Sequence, residues 1–141
     1  MHDLLDRIAT REDEIVDQWA RAIRALPDSP YAQLDDSALK ATIRRSARAL
    51  LHLMRTGETA DLRRALEASA RKRAAQGGQV TEAVAVWLVY RQIVQHTLQD
   101  TLTSRDHWDQ FIDRVDAALA WVVDVLREAY QPGPASRTGP L

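Results

Sequence analysis

Residues 71–102 read RKRAAQGGQVTEAVAVWLVYRQIVQHTLQDTL, and the folding of this stretch decides how the rest of the chain is arranged. It joins a basic helix end, a double glycine and the most apolar segment of the protein. Gly77 and Gly78 supply the left-handed backbone that closes a helix, and Thr81 is placed to cap the next one. A glycine pair can also approach a phosphate, but no strand and no spaced glycines precede it, so a plain turn is expected. From about Thr81 to Thr103, Val84, Leu88, Arg91, Gln95, Leu98 and Leu102 form one stripe at helical spacing. Val86, Tyr90, Ile93 and Thr97 form a nearly opposite one. A helix apolar on two sides must be covered on two sides, which predicts either the central element or a subunit contact.

Arg91 and Gln95 interrupt the first stripe. A polar pair in such a seam either fixes register or touches a ligand, and Trp87 and Tyr90 are near in sequence. These four residues are the candidates for a ligand-binding or signal-responsive spot. The plainer alternative is an arginine whose stem packs while its head reaches an acid.

Downstream, Ser104 is expected to cap a last helix in which Trp108, Ile112, Val115, Leu119, Val122, Leu126 and Ala129 follow steps of four and three. This is a heptad seam over three repeats. Phe111, Ala118, Trp121 and Val125 widen the apolar face beyond what one partner helix covers. Trp108, Phe111, Val115, Ala118, Trp121, Val122 and Val125 are therefore the candidate dimer interface. The tail QPGPASRTGPL has the composition of a linker or a free end.

Upstream, Leu4, Leu5 and Ile8 open with a helical turn or two, and Thr10 with Asp13 resembles a capping box. Ile15, Trp19, Ala22 and Leu26 make one stripe ending at Pro27, after which PDSPYAQLD reads as a loop. Asp35 or Asp36 caps a helix with Leu39, Ile43, Ala47, Leu50 and Met54 inside, closing near Gly57. Its outer face carries Lys40, Arg44, Arg45, Arg48 and Arg55, either a phosphate-binding stripe or a solvated face paired with acids of neighbouring helices. Thr59 caps a thinner helix with Leu62, Leu66 and Ala70.

The totals narrow the function. With 141 residues the chain suits one domain. The absence of cysteine excludes a disulfide scaffold and thiolate chemistry. Its 19 basic and 20 acidic side chains nearly cancel, leaving no global field for nucleic acid or an anionic membrane. No apolar run approaches the roughly 18 residues of a membrane span, and the start carries acids where a targeting peptide carries bases. A soluble cytoplasmic protein is expected.

Catalytic and metal signatures are missing from the pattern. No histidine follows a glutamate by three or four residues, and no serine stands on a Gly-x-Ser-x-Gly elbow. His96 was the one conceivable haem ligand, but the roughly 45 residues after it are too few for the remaining globin helices. No enzyme activity, metal or cofactor is expected.

Arg73, Gln76, Gly77, Val80, Glu82, Val84 and Arg91, with Trp19 upstream, carry a resemblance. Over about residues 4–130 the chain resembles the N-terminal helical domain of the RsbT co-antagonist (RsbR/RsbRD) family, also found in front of some bacterial histidine kinases and PucR-type regulators. Gly78 departs from the aromatic expected after the first glycine. The resemblance implies a bundle-like or globin-like fold without haem and a dimeric sensory input ahead of an output module.

The expectation is therefore an all-α single domain of five or six helices over residues 1–130, with 131–141 as a flexible tail or linker. The resemblance implies a non-enzymatic sensory or regulatory input domain that homodimerises and passes a signal to an output module or partner protein. The alternatives are a ligand-free helical adaptor and a DNA-associated regulator using Arg44, Arg48 and Arg55.

Overall fold

The computed structural model describes residues 2–26, 34–99 and 105–131. Six helices are present among them: α1 His2–Thr10, α2 Glu12–Ala25, α3 Asp36–Thr56, α4 Ala60–Ala75, α5 Val80–Leu98 and α6 Arg105–Tyr130. No strand occurs among the described residues, and the fold is all-α as the composition and spacing predict. The expected loop at Pro27, Leu102, Thr103, the Ser104 cap and the tail from 132 onward lie outside the described residues.

Helix ends follow local chemistry, with some shifts from expectation. The Asp35 side chain accepts from the Ala38 amide at 2.7 Å, a conventional N-cap for α3. Gly57 closes that helix at φ 77°, its N–H donating to the Leu53 carbonyl. Thr10 does not cap α2. It sits inside α1 and returns its hydroxyl to the Asp6 carbonyl, so the break falls at Arg11. Thr59 holds the N-cap position of α4 without a side-chain bond. Thr81 lies within α5, which starts one residue earlier: the Glu82 carboxylate accepts from the Gln79 backbone N–H at 3.1 Å.

The α4–α5 corner is a Schellman turn. Gly78 N–H donates to the Arg73 carbonyl and Gly77 N–H to the Ala74 carbonyl, with Gly77 at φ 84°. A Cβ on Gly78 would lie 2.9 Å from the Arg73 carbonyl oxygen, so both glycines are required, one by conformation and one by contact.

α5 is central, though not in the way two opposite stripes suggest. Ala83, Val86, Trp87, Tyr90, Ile93, Val94, Thr97 and Leu98 form one broad buried arc, covered mainly by α2 and α6. Arg91 and Gln95 point outward with Leu88, which is 49% exposed, while Val84 is half-buried against the edge of the core. Both flanking helices bury wide faces against this arc. On α2 these are Ile15, Val16, Trp19, Ala20 and Ile23, while Ala22 and Leu26 of the expected stripe are only half-buried.

On α6 the heptad residues Val115, Leu119, Val122 and Leu126 are buried together with Phe111, Ala118 and Val125. The seam predicted from spacing is real, but its partners are α4 and α5 of the same chain. Phe111, Val115, Ala118, Val122 and Val125 are thus core residues of the protomer, a correction to the expected dimer face. α4, α5 and, to a smaller extent, α3 of the same chain cover the apolar face of α6. Of the seven candidates only Trp108 and Trp121 retain partial exposure, and the Arg63 guanidinium lies 5.4 Å from the centre of the Trp121 ring.

Candidate functional site

The structure separates the four residues proposed for the responsive spot. Arg91 and Gln95 lie on the outer face of α5. Trp87 and Tyr90 lie on its inner face, in an aromatic cluster with Trp19. The Trp19 ring is 5.3 Å from Trp87 and 4.9 Å from Tyr90, and Trp87 and Tyr90 are 6.2 Å apart. Trp19 Nε1 donates to the Val86 carbonyl at 2.9 Å, which fixes the indole against α5. The Tyr90 hydroxyl is fully buried with no hydrogen-bond partner among the described residues, and burial pushes its pKa well above the ordinary tyrosine value. The Thr97 hydroxyl, two turns further along the same arc, is also buried and has no partner among the described residues.

Arg91 spans the surface between α5 and α6. Its Nε meets Asp116 Oδ1 at 2.5 Å and Nη2 meets Oδ2 at 3.3 Å, a two-pronged carboxylate contact; Nη1 donates to Gln95 Oε1 at 3.1 Å. The bond to Asp116 raises the guanidinium pKa further. An arginine stem packed in the seam with its head on an acid is the plainer of the two sequence readings. The carboxylate comes from the last helix.

The basic face of α3 is neutralised by the N-terminal helices. Arg44 bonds Glu12 at 3.0 Å and Asp13 at 2.7 Å, Arg48 bonds Glu12 at 2.6 Å, and Arg55 bonds Asp6 at 2.6 Å. Lys40 lies between Asp17 and Asp36. The Arg48 hydrogen bond, with Arg44 adding to it, holds the Glu12 carboxyl below the usual carboxylate range. These side chains zip α3 to α1 and α2 instead of lining up free charges for phosphates. Arg45 is the exception, with no hydrogen bond or ion pair among the described residues.

A cavity of about 300 Å³ opens between α3 and α4, a feature with no sequence signal. Trp19, Ile43, Leu66, Val86, Trp87 and Leu126, all buried, form its inner wall. Its mouth carries Thr42, Arg45 and Ser46 from α3 and Ala65, Ala68 and Ser69 from α4. Side chains this small on facing helices leave the space unfilled.

The histidines stay apart. His52 faces Glu58 at 3.4 Å, and His96 is exposed on α5. Among the described residues no three histidine or acidic side chains gather where they could hold a metal ion. No helix of the described residues is long and apolar enough to cross a membrane.

The residues behind the resemblance now have physical roles. Arg73 Nη1 donates to Gln76 Oε1 at 3.3 Å, Gly77 takes the left-handed position, and Glu82 closes the start of α5. Arg91 ties α5 to α6, and Trp19 pins α2 to α5. A scan of protein families matches residues 13–134 to the RsbT co-antagonist protein RsbRD N-terminal domain. The chain belongs to this family. As an RsbRD N-terminal domain it is a regulatory module of the stress-signalling type. The match begins at α2 and runs past α6, so the motif corner, the Arg91–Asp116 link and the cavity all lie within the shared region. Comparison with curated proteins and with solved structures found no match.

Proposed function

We propose that this RsbRD N-terminal domain is a non-catalytic regulatory input that pairs with a second copy and passes a change in helix packing to an output module or partner protein. The observation that carries this reading is the Arg91–Asp116 link. It joins the central helix to α6, which ends at Tyr130 and is the last of the described helices. A surface ion pair contributes little to stability, ordinarily less than about 1 kcal/mol, so this link can open while the buried seam between the two helices persists. The buried, unbonded hydroxyls of Tyr90 and Thr97 on α5 point the same way. A helix that buries two unsatisfied groups has a shallower minimum than one whose polar groups are all paired.

The second copy is assigned to the outer face of the α5–α6 pair. Val84, Leu88 and Arg91 follow one another at helical spacing on α5, and Ile112 precedes Asp116 by one turn on α6. This makes a partly apolar stripe with the ion pair inside it. A partner helix laid there would feel any sliding of α5 against α6 directly. Sedimentation equilibrium of the chain and of Leu88→Glu tests the pairing. The expected result is a dimer that becomes monomeric on substitution, with the helical signal unchanged because Leu88 is half-exposed. A monomer for the parent chain at high micromolar concentration would remove the pairing from the proposal.

A further inference from the structure

We infer that the cavity between α3 and α4 is a binding site for a small organic monoanion, an aromatic or bicyclic body carrying one carboxylate, with Arg45 as the residue that recognises the charge. This deepens the regulatory reading, on which it rests for what binding would trigger.

Three independent features of the site point to that chemistry. The first is size and lining. A cavity of about 300 Å³ is roughly twice the 150 Å³ that accepts a benzene ring, and its inner wall is built from two indoles and four aliphatic side chains. Such a wall accepts a flat apolar body and offers nothing to a sugar or a free phosphate. The second is the charge pattern. Lys40, Arg44, Arg48 and Arg55 on the same helix are each paired with one or more acids, so α3 has its cations matched except at the mouth of this cavity. Arg45 stands there unpaired among the described residues, with the Ser46 hydroxyl one residue on. A planar guanidinium suits a carboxylate through two parallel bonds.

The third feature is position. The cavity floor is the Trp19–Trp87 pair and the wall includes Val86, whose carbonyl holds the Trp19 indole. Leu126 brings in the last turns of α6. A ligand seated between α3 and α4 would therefore press on the contacts that position α2, α5 and α6 together. The mouth is formed by exposed Ala65 and Ala68, which leave an entry path from solvent.

The test uses the full chain and three isosteric probes: 3-phenylpropionate, 3-phenylpropanamide and 3-phenylpropylamine. Binding is read by isothermal titration and by tryptophan emission excited at wavelengths the probes do not absorb. Saturable binding of the carboxylate is expected, with the amide about tenfold weaker and the amine weaker still. Arg45→Gln, at an exposed position with no hydrogen bond or ion pair to lose among the described residues, should erase the preference for carboxylate over amide. Ala68→Leu should block all three probes while leaving the helical signal intact. Equal affinity for acid and amide, or an unchanged preference in Arg45→Gln, would overturn the anion assignment. Absence of saturable binding by any probe into the millimolar range would overturn the site itself and leave the dimeric input reading untouched. Conversely, carboxylate binding without any change in association state or in exchange of the α5 and α6 amides supports the site and counts against the helix-shift reading.

Discussion

Replacing Tyr90 by phenylalanine should make this protein more stable, and the reasoning turns on one oxygen atom. The ring is fully buried and packs against Trp19 and Trp87, contacts that phenylalanine keeps. Its hydroxyl has left water without gaining a partner among the described residues. An unsatisfied buried hydroxyl costs about 1–3 kcal/mol, and the smaller side chain creates only a minor void, so a net gain of about 1 kcal/mol is expected. For a chain of this length the unfolding entropy is about 0.3 kcal/mol/K, which converts that gain to a rise of about 3 °C in Tm. Paired urea melts followed by far-ultraviolet circular dichroism measure it, with the midpoint shifting and the slope unchanged. A second readout uses pH. Because burial raises the folded-state pKa of Tyr90, the folded chain keeps its proton above the ordinary value of 10.0 while the unfolded chain releases it. Stability is therefore full below that pH and falls as pH rises above it; Tyr90→Phe should flatten this alkaline loss. A destabilisation of about 1 kcal/mol or more would refute the argument, since it would mean that the hydroxyl is bonded in solution, by a buried water for instance. Trp19→Phe is the opposing control. It removes the bond to the Val86 carbonyl and much of a fully buried indole, at a cost of about 2–4 kcal/mol.

Gly77→Ala should destabilise by about 1 kcal/mol through its left-handed backbone, and Gly78→Ala by at least as much through collision with the Arg73 carbonyl; chemical melts of the two variants measure both. Arg91→Gln and Asp116→Asn should each cost less than about 1 kcal/mol, since the pair is one-third to one-half exposed, yet both should speed hydrogen exchange at the α5–α6 surface, and a double-mutant cycle should show that they act as one unit. If exchange is unchanged, the link does not restrain these helices. Glu12→Gln should weaken the fold modestly at neutral pH. The depressed folded-state pKa of Glu12 makes its contribution present above the usual value of 4.5 and lost as pH falls through the lower folded value, so the variant should also show a shallower acid loss in melts between pH 5 and 2.

How much of this was legible in the sequence differs by level. The helices were, because the 3.6-residue period survives in every segment and Gly57, Gly77 and Asp35 mark ends through chemistry that acts within four residues. The partner of each face was not. The α6 heptad seam reads identically whether it meets a second subunit or its own α4 and α5, and only the tertiary arrangement distinguishes Phe111 and Val122 as core. On α5, Arg91 was singled out as a polar break and is found on Asp116; Tyr90, one residue before it, is turned about 100° inward, and Trp87, one turn earlier, lies at the edge of the buried arc. The cavity had no signal because it arises from small side chains, Ala65, Ala68 and Ser46, on helices joined only in space. Arg45 was visible only as one of five similar cations; its distinction is the lack of an acid opposite it.

The bond from Trp19 to Val86 also has a consequence for how the chain comes to its shape. It joins positions 67 residues apart, and Arg11 reaches the Thr97 carbonyl across 86. α2 packs against α3 and the buried arc of α5 to a similar extent, so the N-terminal third cannot complete its packing until α5 has been made. During synthesis α1, α2 and α3 would wait with Trp19 and its apolar neighbours still in water, and closure would come late and all at once. An all-helical chain ordinarily folds fast because its contacts are local; this one is built to close around a long-range peg, which predicts refolding slower than its helix content suggests.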